Sequence, residues 1–175
     1  MALASFLPGP AAAADGRPNF SGTYTLVPKK SDDLKARIAA AVGPDYTVGN
    51  KKSEQARAWI RRWLEGVAED PAKGILTIEH TPTEFKSGMG DEVSIYYFGR
   101  EATSRGPGGG NLRVSVGWQG EQIVTEEREA KGKGRMTAVY TLQPGGKSLL
   151  VGWRLEHGSM QRPIELRLAF DRSLE

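Results

Sequence analysis

Residues 19–34 read NFSGTYTLVPKKSDDL and combine a strand with the start of a helix. Residues 21–27 alternate between apolar and polar side chains, and this period of two predicts a β-strand. Pro28 ends the strand, and Ser31 is expected to cap a helix whose first turn holds two acidic residues. The sequence therefore predicts a fold that opens with one strand and passes directly into helices.

Two helices are predicted between residues 31 and 67. The first ends at Gly43-Pro44 and carries its apolar residues on one face: Leu34, Ile38, Ala41 and Val42. The second shows an i, i+3, i+4, i+7 stripe: Ala56, Trp59, Ile60, Trp63, Leu64 and Val67. Because short helices are stabilised mainly by packing, this stripe is expected to cover an apolar surface.

From Gly74 onward the apolar residues recur with a period of two, and turn residues separate the runs. The runs are Leu76–Ile78–His80, Val93–Ile95–Tyr97, Leu112–Val114–Val116–Trp118, Ile123–Thr125, Met136–Ala138–Tyr140–Leu142, Leu149–Val151–Trp153–Leu155 and Ile164–Leu166–Leu168–Phe170. A meander of this many strands exposes two edges unless it closes. The sequence predicts a mainly β fold, an antiparallel up-and-down barrel of about 8–10 strands with two helices inserted after the first strand.

The first 18 residues are interpreted as a disordered leader or a signal-peptide remnant, because an alanine-rich A-x-A pattern follows a weakly apolar run. Residues 19–173 are predicted to form one barrel domain. The leader favours a periplasmic or secreted location, with a cytoplasmic one as the alternative. No apolar run approaches the roughly 20 residues of a transmembrane helix.

The composition narrows the function classes. The net charge of +3 is spread along the chain, and the absence of a basic tract argues against a nucleic-acid partner. The chain has no cysteine, which excludes disulfides and thiolate metal sites. His80 and His157 without a third ligand make a weak metal site. No G-x-S-x-G motif is present, so neither a metal, a cofactor nor a catalytic residue is predicted.

Several short motifs, in order along the chain, resemble one superfamily. Gly22-Thr23-Tyr24 matches the G-x-W motif of the first calycin strand, with Tyr in place of Trp; GILTIEH, YYFGRE, VGWQGEQIV and the final FDR follow. The chain resembles the lipocalin and fatty-acid-binding barrels, and most closely small secreted bacterial lipocalin-like proteins. The resemblance implies that this motif closes the barrel floor and that the helix pair forms a lid over the mouth.

The last strand departs from the fatty-acid-binding pattern. In that branch it carries an inward Arg and Tyr that hold the ligand carboxylate, and the matching positions here are Leu168 and Phe170. The carboxylate clamp is therefore not carried over.

The aromatic residues are predicted to line a cavity: Trp59, Trp63, Tyr97, Trp118, Tyr140, Trp153 and Phe170. The predicted function is non-enzymatic binding of a small apolar or amphipathic molecule, with entry gated by the helix pair. The alternatives are a filled barrel that recognises a protein or glycan, and a hydrolase or isomerase that uses one of the histidines. Glu126, Glu127 and Glu129 are expected to lie on a solvated strand.

Overall fold

The computed structural model describes residues 16–34, 36–37, 40, 74–89, 92–105, 110–131, 134–157 and 162–173. They form ten strands: β1 (Gly22–Leu26), β2 (Ile75–His80), β3 (Glu84–Met89), β4 (Glu92–Tyr97), β5 (Ala102–Arg105), β6 (Asn111–Gln119), β7 (Gln122–Glu129), β8 (Arg135–Leu142), β9 (Ser148–Glu156) and β10 (Ile164–Arg172). All pairings are antiparallel, and the order is β4-β3-β2-β1-β10-β9-β8-β7-β6-β5. The predicted up-and-down barrel is confirmed.

The wall of the barrel is nearly closed. The pairing of β1 with β10 joins the two ends of the chain, as in Tyr24 opposite Arg172. The two outermost strands of the order are β4 and β5. Phe98, directly after β4, forms an isolated parallel bridge with Val116 of β6, which draws the two edges together at one end. This near-closure reduces the exposed edges that an open meander would present.

A few helical residues follow β1, with a cap other than the predicted one. Leu34, Ala36, Arg37 and Ala40 are helical, and Asp33 Oδ1 accepts a hydrogen bond from the Ala36 N–H at 3.0 Å. Ser31, the predicted cap, is occupied elsewhere. Its hydroxyl accepts a hydrogen bond from the Ala169 N–H at 2.9 Å and donates one to the Val27 carbonyl at 2.9 Å.

The start of this helix is attached to the barrel. Asp32 Oδ2 accepts a hydrogen bond from the Arg167 N–H at 2.9 Å, Arg162 Nε donates to the Ala40 carbonyl at 2.9 Å, and Leu34 is buried in the hydrophobic core. Most of this helix and the whole of the second, including Trp59 and Trp63, lie outside the described residues, so the helix pair stays a prediction. Within the described ranges, no helix has the length and hydropathy to cross a membrane.

Tyr24 and Arg172 pack against each other where β1 pairs with β10. Tyr24 is fully buried, its hydroxyl donates a hydrogen bond to the Phe20 carbonyl at 2.8 Å, and the Arg172 guanidinium carbon lies 5.4 Å from the centre of its ring. Arg172 donates to the carbonyls of Ser21 and of Gly146, the latter at 3.3 Å. The floor position that the resemblance implies for the G-x-W-like motif stays a prediction.

Gly22 leaves the space that this guanidinium occupies. Its φ of +152° is unfavourable for other residues, and a Cβ there would lie 2.8 Å from Arg172 Nε. We expect Gly22→Ala to lower the free energy of unfolding by about 1–3 kcal/mol, measured by urea denaturation. Gly117→Ala is the matched control, because a Cβ there would meet nothing within 4 Å. Equal effects of the two substitutions would contradict this account.

Candidate functional site

The inner face of the barrel is mainly apolar but contains a polar group of side chains. Among the described residues, the buried polar and charged side chains are Ser87, Ser94, Thr125 and Glu127. Tyr96 and Tyr140 are also buried, at 1% and 3% exposure, and their hydroxyls bond to members of this set. We call the six residues Ser87, Ser94, Tyr96, Thr125, Glu127 and Tyr140 the polar belt.

Glu127 lies at the centre of the polar belt. It is fully buried, which corrects the expectation of a solvated position, and its Oε1 accepts hydrogen bonds from Ser94 Oγ and Tyr96 Oη, both at 2.8 Å. The preceding Glu126 lies on the outer face, where Arg128 Nε is 2.7 Å from its carboxylate. Glu127 is buried because strand alternation turns it inward and two hydroxyls of β4 satisfy one of its oxygens.

The position of Glu127 explains why β4 faces the opposite way from the prediction. Val93 and Ile95, taken as inward, are 57% and 40% exposed, whereas Ser94 and Tyr96 point inward. Tyr97, a predicted cavity residue, is therefore on the outer face with Arg100 4.1 Å from its ring centre. In this strand the apolar residues therefore lie on the outer face, because the inner face carries the two hydroxyl groups that bond to the Glu127 carboxylate.

Tyr140 links the belt to β3. A hydrogen bond of 2.9 Å joins its hydroxyl to Ser87 Oγ, and its ring meets that of Phe85 edge-on with centres 5.0 Å apart. Burial raises the pKa of Tyr140 to about 12, against the lowering effect of its hydrogen bonds. Burial, with the nearby charge of Glu127, raises the pKa of Tyr96 well above its usual value. Both phenols therefore stay protonated at neutral pH and are available as donors.

Trp153 brings an indole N–H into the interior. It is 5% exposed, and the pairing of β9 with β8 and of β8 with β7 places it in one row with Ala138 and Thr125. Its Nε1 is buried and has no hydrogen-bond partner among the residues that the structure describes. Buried N–H groups are almost always paired in folded proteins, so this donor requires an explanation.

Aromatic rings fill the end of the barrel beneath the belt. His80 lies 6.1 Å from Phe20, 6.2 Å from Phe85, 5.8 Å from Phe98 and 5.5 Å from Trp118, measured between ring centres. We call these five residues the aromatic floor. Phe98 and Trp118 stack with their planes 12° apart. His80, at the end of β2, is half-buried among these rings.

The two histidines do not form one site. His80 contacts Trp118, which pairs with Ile123 at one end of the β6–β7 ladder, whereas Glu129 pairs at the other end. His157 Nε2 lies 4.0 Å from this Glu129 carboxylate, and burial lowers the pKa of His157 despite the opposing effect of Glu129. Within the described ranges no group of three or more His, Asp or Glu side chains is arranged to hold a metal ion.

The predicted cavity residues fall into three groups. The first group lies on the inner side: Tyr140, Trp153 and Phe170 are buried on the inner face of the barrel, and Trp118 is part of the aromatic floor. The second is Tyr97, which faces outward, and the third is Trp59 and Trp63, which lie outside the described residues. Contact of the predicted residues with a ligand stays a prediction. Leu168 and Phe170, the positions of the missing carboxylate clamp, are both fully buried.

The described fold is similar to that of several solved structures. No protein-family model and no curated protein matches the chain. Among solved structures it is similar to the REP1-NXSQ fatty acid transporter (13% identity over 93% of this chain and 100% of that chain, TM-score 0.53). It is also similar to a secretory abundant heat soluble protein from Ramazzottius varieornatus (9% identity, 87% and 94%, TM-score 0.55) and to the apo form of lipid binding protein 8 from Caenorhabditis elegans (11% identity, 88% and 95%, TM-score 0.53). At this level of identity the likeness shows the fold alone, an antiparallel β-barrel.

Proposed function

We propose that this chain is a non-enzymatic barrel that binds a small apolar or amphipathic molecule in its interior. The observation that carries the proposal is the polar belt, a group of hydrogen-bonding side chains buried inside an otherwise apolar barrel. Ligand sites are typically apolar with a few polar groups that orient the ligand. The names of two similar structures, a fatty acid transporter and a lipid binding protein, agree with this class of ligand.

The energetic cost of the belt supports a binding role. Burying a carboxyl group costs free energy even when it is hydrogen-bonded, and a barrel that only needed a stable core would be served by hydrocarbon side chains at these positions. Glu127 and its hydroxyl partners are instead kept at full burial. Sites that bind ligands are where folded proteins accept such a cost.

The helix pair is proposed as the gate. The described start of the first helix is attached to β10 through Asp32 and Arg167, and Leu34 enters the core. Both observations favour a helix pair that rests on the barrel, with Trp59 and Trp63 contacting the ligand or sealing the mouth. A place in the bacterial envelope, outside the cytoplasm, is part of the same proposal and rests on the signal-like leader.

Native mass spectrometry of the freshly purified protein tests the proposal. We expect an additional bound mass of a few hundred daltons, or uptake of such a mass from a lipid and hydrophobic-metabolite extract, and its release on denaturation.

Trp63→Ala is expected to weaken uptake while leaving the unfolding curve near that of the wild type, because the substitution removes a proposed contact of the lid. An apo mass that takes up nothing would refute the binding function, and unchanged uptake by the variant would refute the lid role.

A filled barrel that recognises a protein or glycan is the second candidate. It is favoured by the close contact of large rings across the interior, where Phe85 of β3 lies 5.0 Å from Tyr140 of β8 between ring centres. Small barrels are either filled by their own side chains or hold one ligand. This candidate predicts no uptake in the same mass-spectrometric experiment.

A further inference from the structure

We propose that the barrel selects an uncharged amphiphile, with a hydroxyl or amide group at its polar end, against a carboxylate, and that Glu127 and Trp153 determine this choice. The inference deepens the proposed function and rests on it, since it names the chemical class of the ligand. It follows from the charge of the polar belt and from one buried donor.

The charge of the belt disfavours an anionic ligand. Glu127 is the one residue of an acidic or basic type that is fully buried among those described. A ligand carboxylate inside the barrel would bring a second acidic group close to it in a medium of low dielectric constant, where two such groups cannot both ionise without a large cost. The inner positions Leu168 and Phe170, which match the carboxylate clamp of the fatty-acid-binding branch, are both apolar.

The hydrogen-bonding groups of the interior favour a ligand that both accepts and donates. Trp153 Nε1 is a donor only and has no partner within the described ranges. A hydroxyl or amide oxygen would accept its hydrogen bond and end the cost of an unpaired buried N–H. The hydrogen of the same group would then find an acceptor in the belt, where Thr125 lies in the row of Trp153.

Other polar ends satisfy these groups less well. An ammonium group has no lone pair to accept from Trp153, although a carboxylate would attract it. A hydrocarbon end forms no hydrogen bond, so it leaves the Trp153 N–H without an acceptor and adds nothing to the polar belt. A carboxylate accepts from Trp153 but meets the like charge of Glu127. The hydroxyl and amide classes are those that match both features of the site.

A series of ligands with one sixteen-carbon chain and different ends tests the inference. The full-length protein, freed of carried lipid, is titrated with hexadecanol, hexadecanamide, palmitate and hexadecylammonium by displacement of a fluorescent probe. We expect the alcohol and the amide to bind at least about tenfold more tightly than palmitate, the ratio that corresponds to a charge effect of roughly one pKa unit.

Two substitutions separate the contributions. Glu127→Gln keeps the shape and removes the charge, so palmitate is expected to gain about tenfold while the alcohol changes little. Glu126→Gln is the matched control, because the neighbouring carboxylate lies outside the barrel against Arg128. Trp153→Phe removes the N–H and keeps an aromatic ring. We expect it to weaken the alcohol and the amide several-fold, because both lose the hydrogen bond from this donor.

The outcomes distinguish the two levels of the proposal. If no member of the series displaces the probe or binds directly, the proposed function itself is refuted. If the ligands bind but palmitate equals the alcohol, or if hexadecylammonium is the tightest, the binding function stands and the selection for an uncharged end is wrong. If Glu127→Gln does not fold, the wild-type series and Trp153→Phe still decide between these outcomes.

Discussion

Tyr24→Ala is expected to lower the free energy of unfolding by about 3–5 kcal/mol, the range found when a large buried aromatic side chain is truncated. Tyr24 is fully buried, and the substitution removes three interactions at once. The packing of the buried ring is lost. The Phe20 carbonyl loses a hydrogen bond of 2.8 Å, and the Arg172 guanidinium loses the aromatic face that lies 5.4 Å away. Urea denaturation followed by circular dichroism measures the change.

Tyr24→Phe separates the hydrogen bond from the packing. It keeps the ring and the contact with Arg172 and leaves the Phe20 carbonyl without the hydroxyl donor, at an expected cost of about 1–3 kcal/mol. The alanine variant should therefore lose clearly more than the phenylalanine variant. Nearly equal losses would mean that the ring contributes little to the free energy of unfolding and that Tyr24 stabilises the fold mainly through its hydroxyl group.

The parts of the fold that the sequence predicts are those in which local pattern and tertiary packing agree. In β8, β9 and β10 apolar residues recur at every second position, and the structure buries that face, as in Val151 and Leu168. Here burial of hydrocarbon is the dominant force, so the pattern identifies the inner face. The barrel topology follows from the same alternation together with the short turns between strands.

The misread strand is one in which another interaction determines the face. In β4, Ser94 and Tyr96 point inward because they bond to Glu127, and the more apolar Val93 and Ile95 are exposed. This partner is more than thirty residues away in the sequence, so no local pattern contains it. Strand β3 was missed for a related reason, since its buried residues include Ser87 and Gly88 beside Phe85.

The same argument applies to the candidate site. Glu126 and Glu127 are identical residues next to each other, and only strand alternation combined with barrel closure sends one outward and the other inward. A sequence of three glutamates within four positions is typical of a solvated surface. The sequence pattern therefore predicts ordinary surface for Glu127, a member of the polar belt, and directs attention to the large aromatic residues instead.

The buried phenols make the protein sensitive to alkaline pH. We expect the free energy of unfolding to be independent of these groups below pH 10 and to fall as the pH rises from about 10 to 12. Burial raises the pKa of Tyr140 from 10.0 to about 12, so in this window the unfolded chain releases a proton that the folded chain keeps. Unfolding is then favoured by rising pH. At 1.36 kcal/mol for each pKa unit, Tyr140 alone accounts for about 3 kcal/mol.

Tyr96 acts in the same direction, because burial and the charge of Glu127 raise its pKa well above the usual value. Urea denaturation at a series of pH values measures the dependence, and the absorbance of tyrosinate follows ionisation in the same samples. Tyr140→Phe is expected to lower stability at neutral pH, since Ser87 loses its partner, but to flatten the fall above pH 10 because one of the groups that drives it is gone. Full ionisation of the wild-type tyrosines near pH 10 with no loss of structure would contradict the burial of the polar belt. Such a result would also remove the observation on which the binding function rests, since the belt would then be open to water.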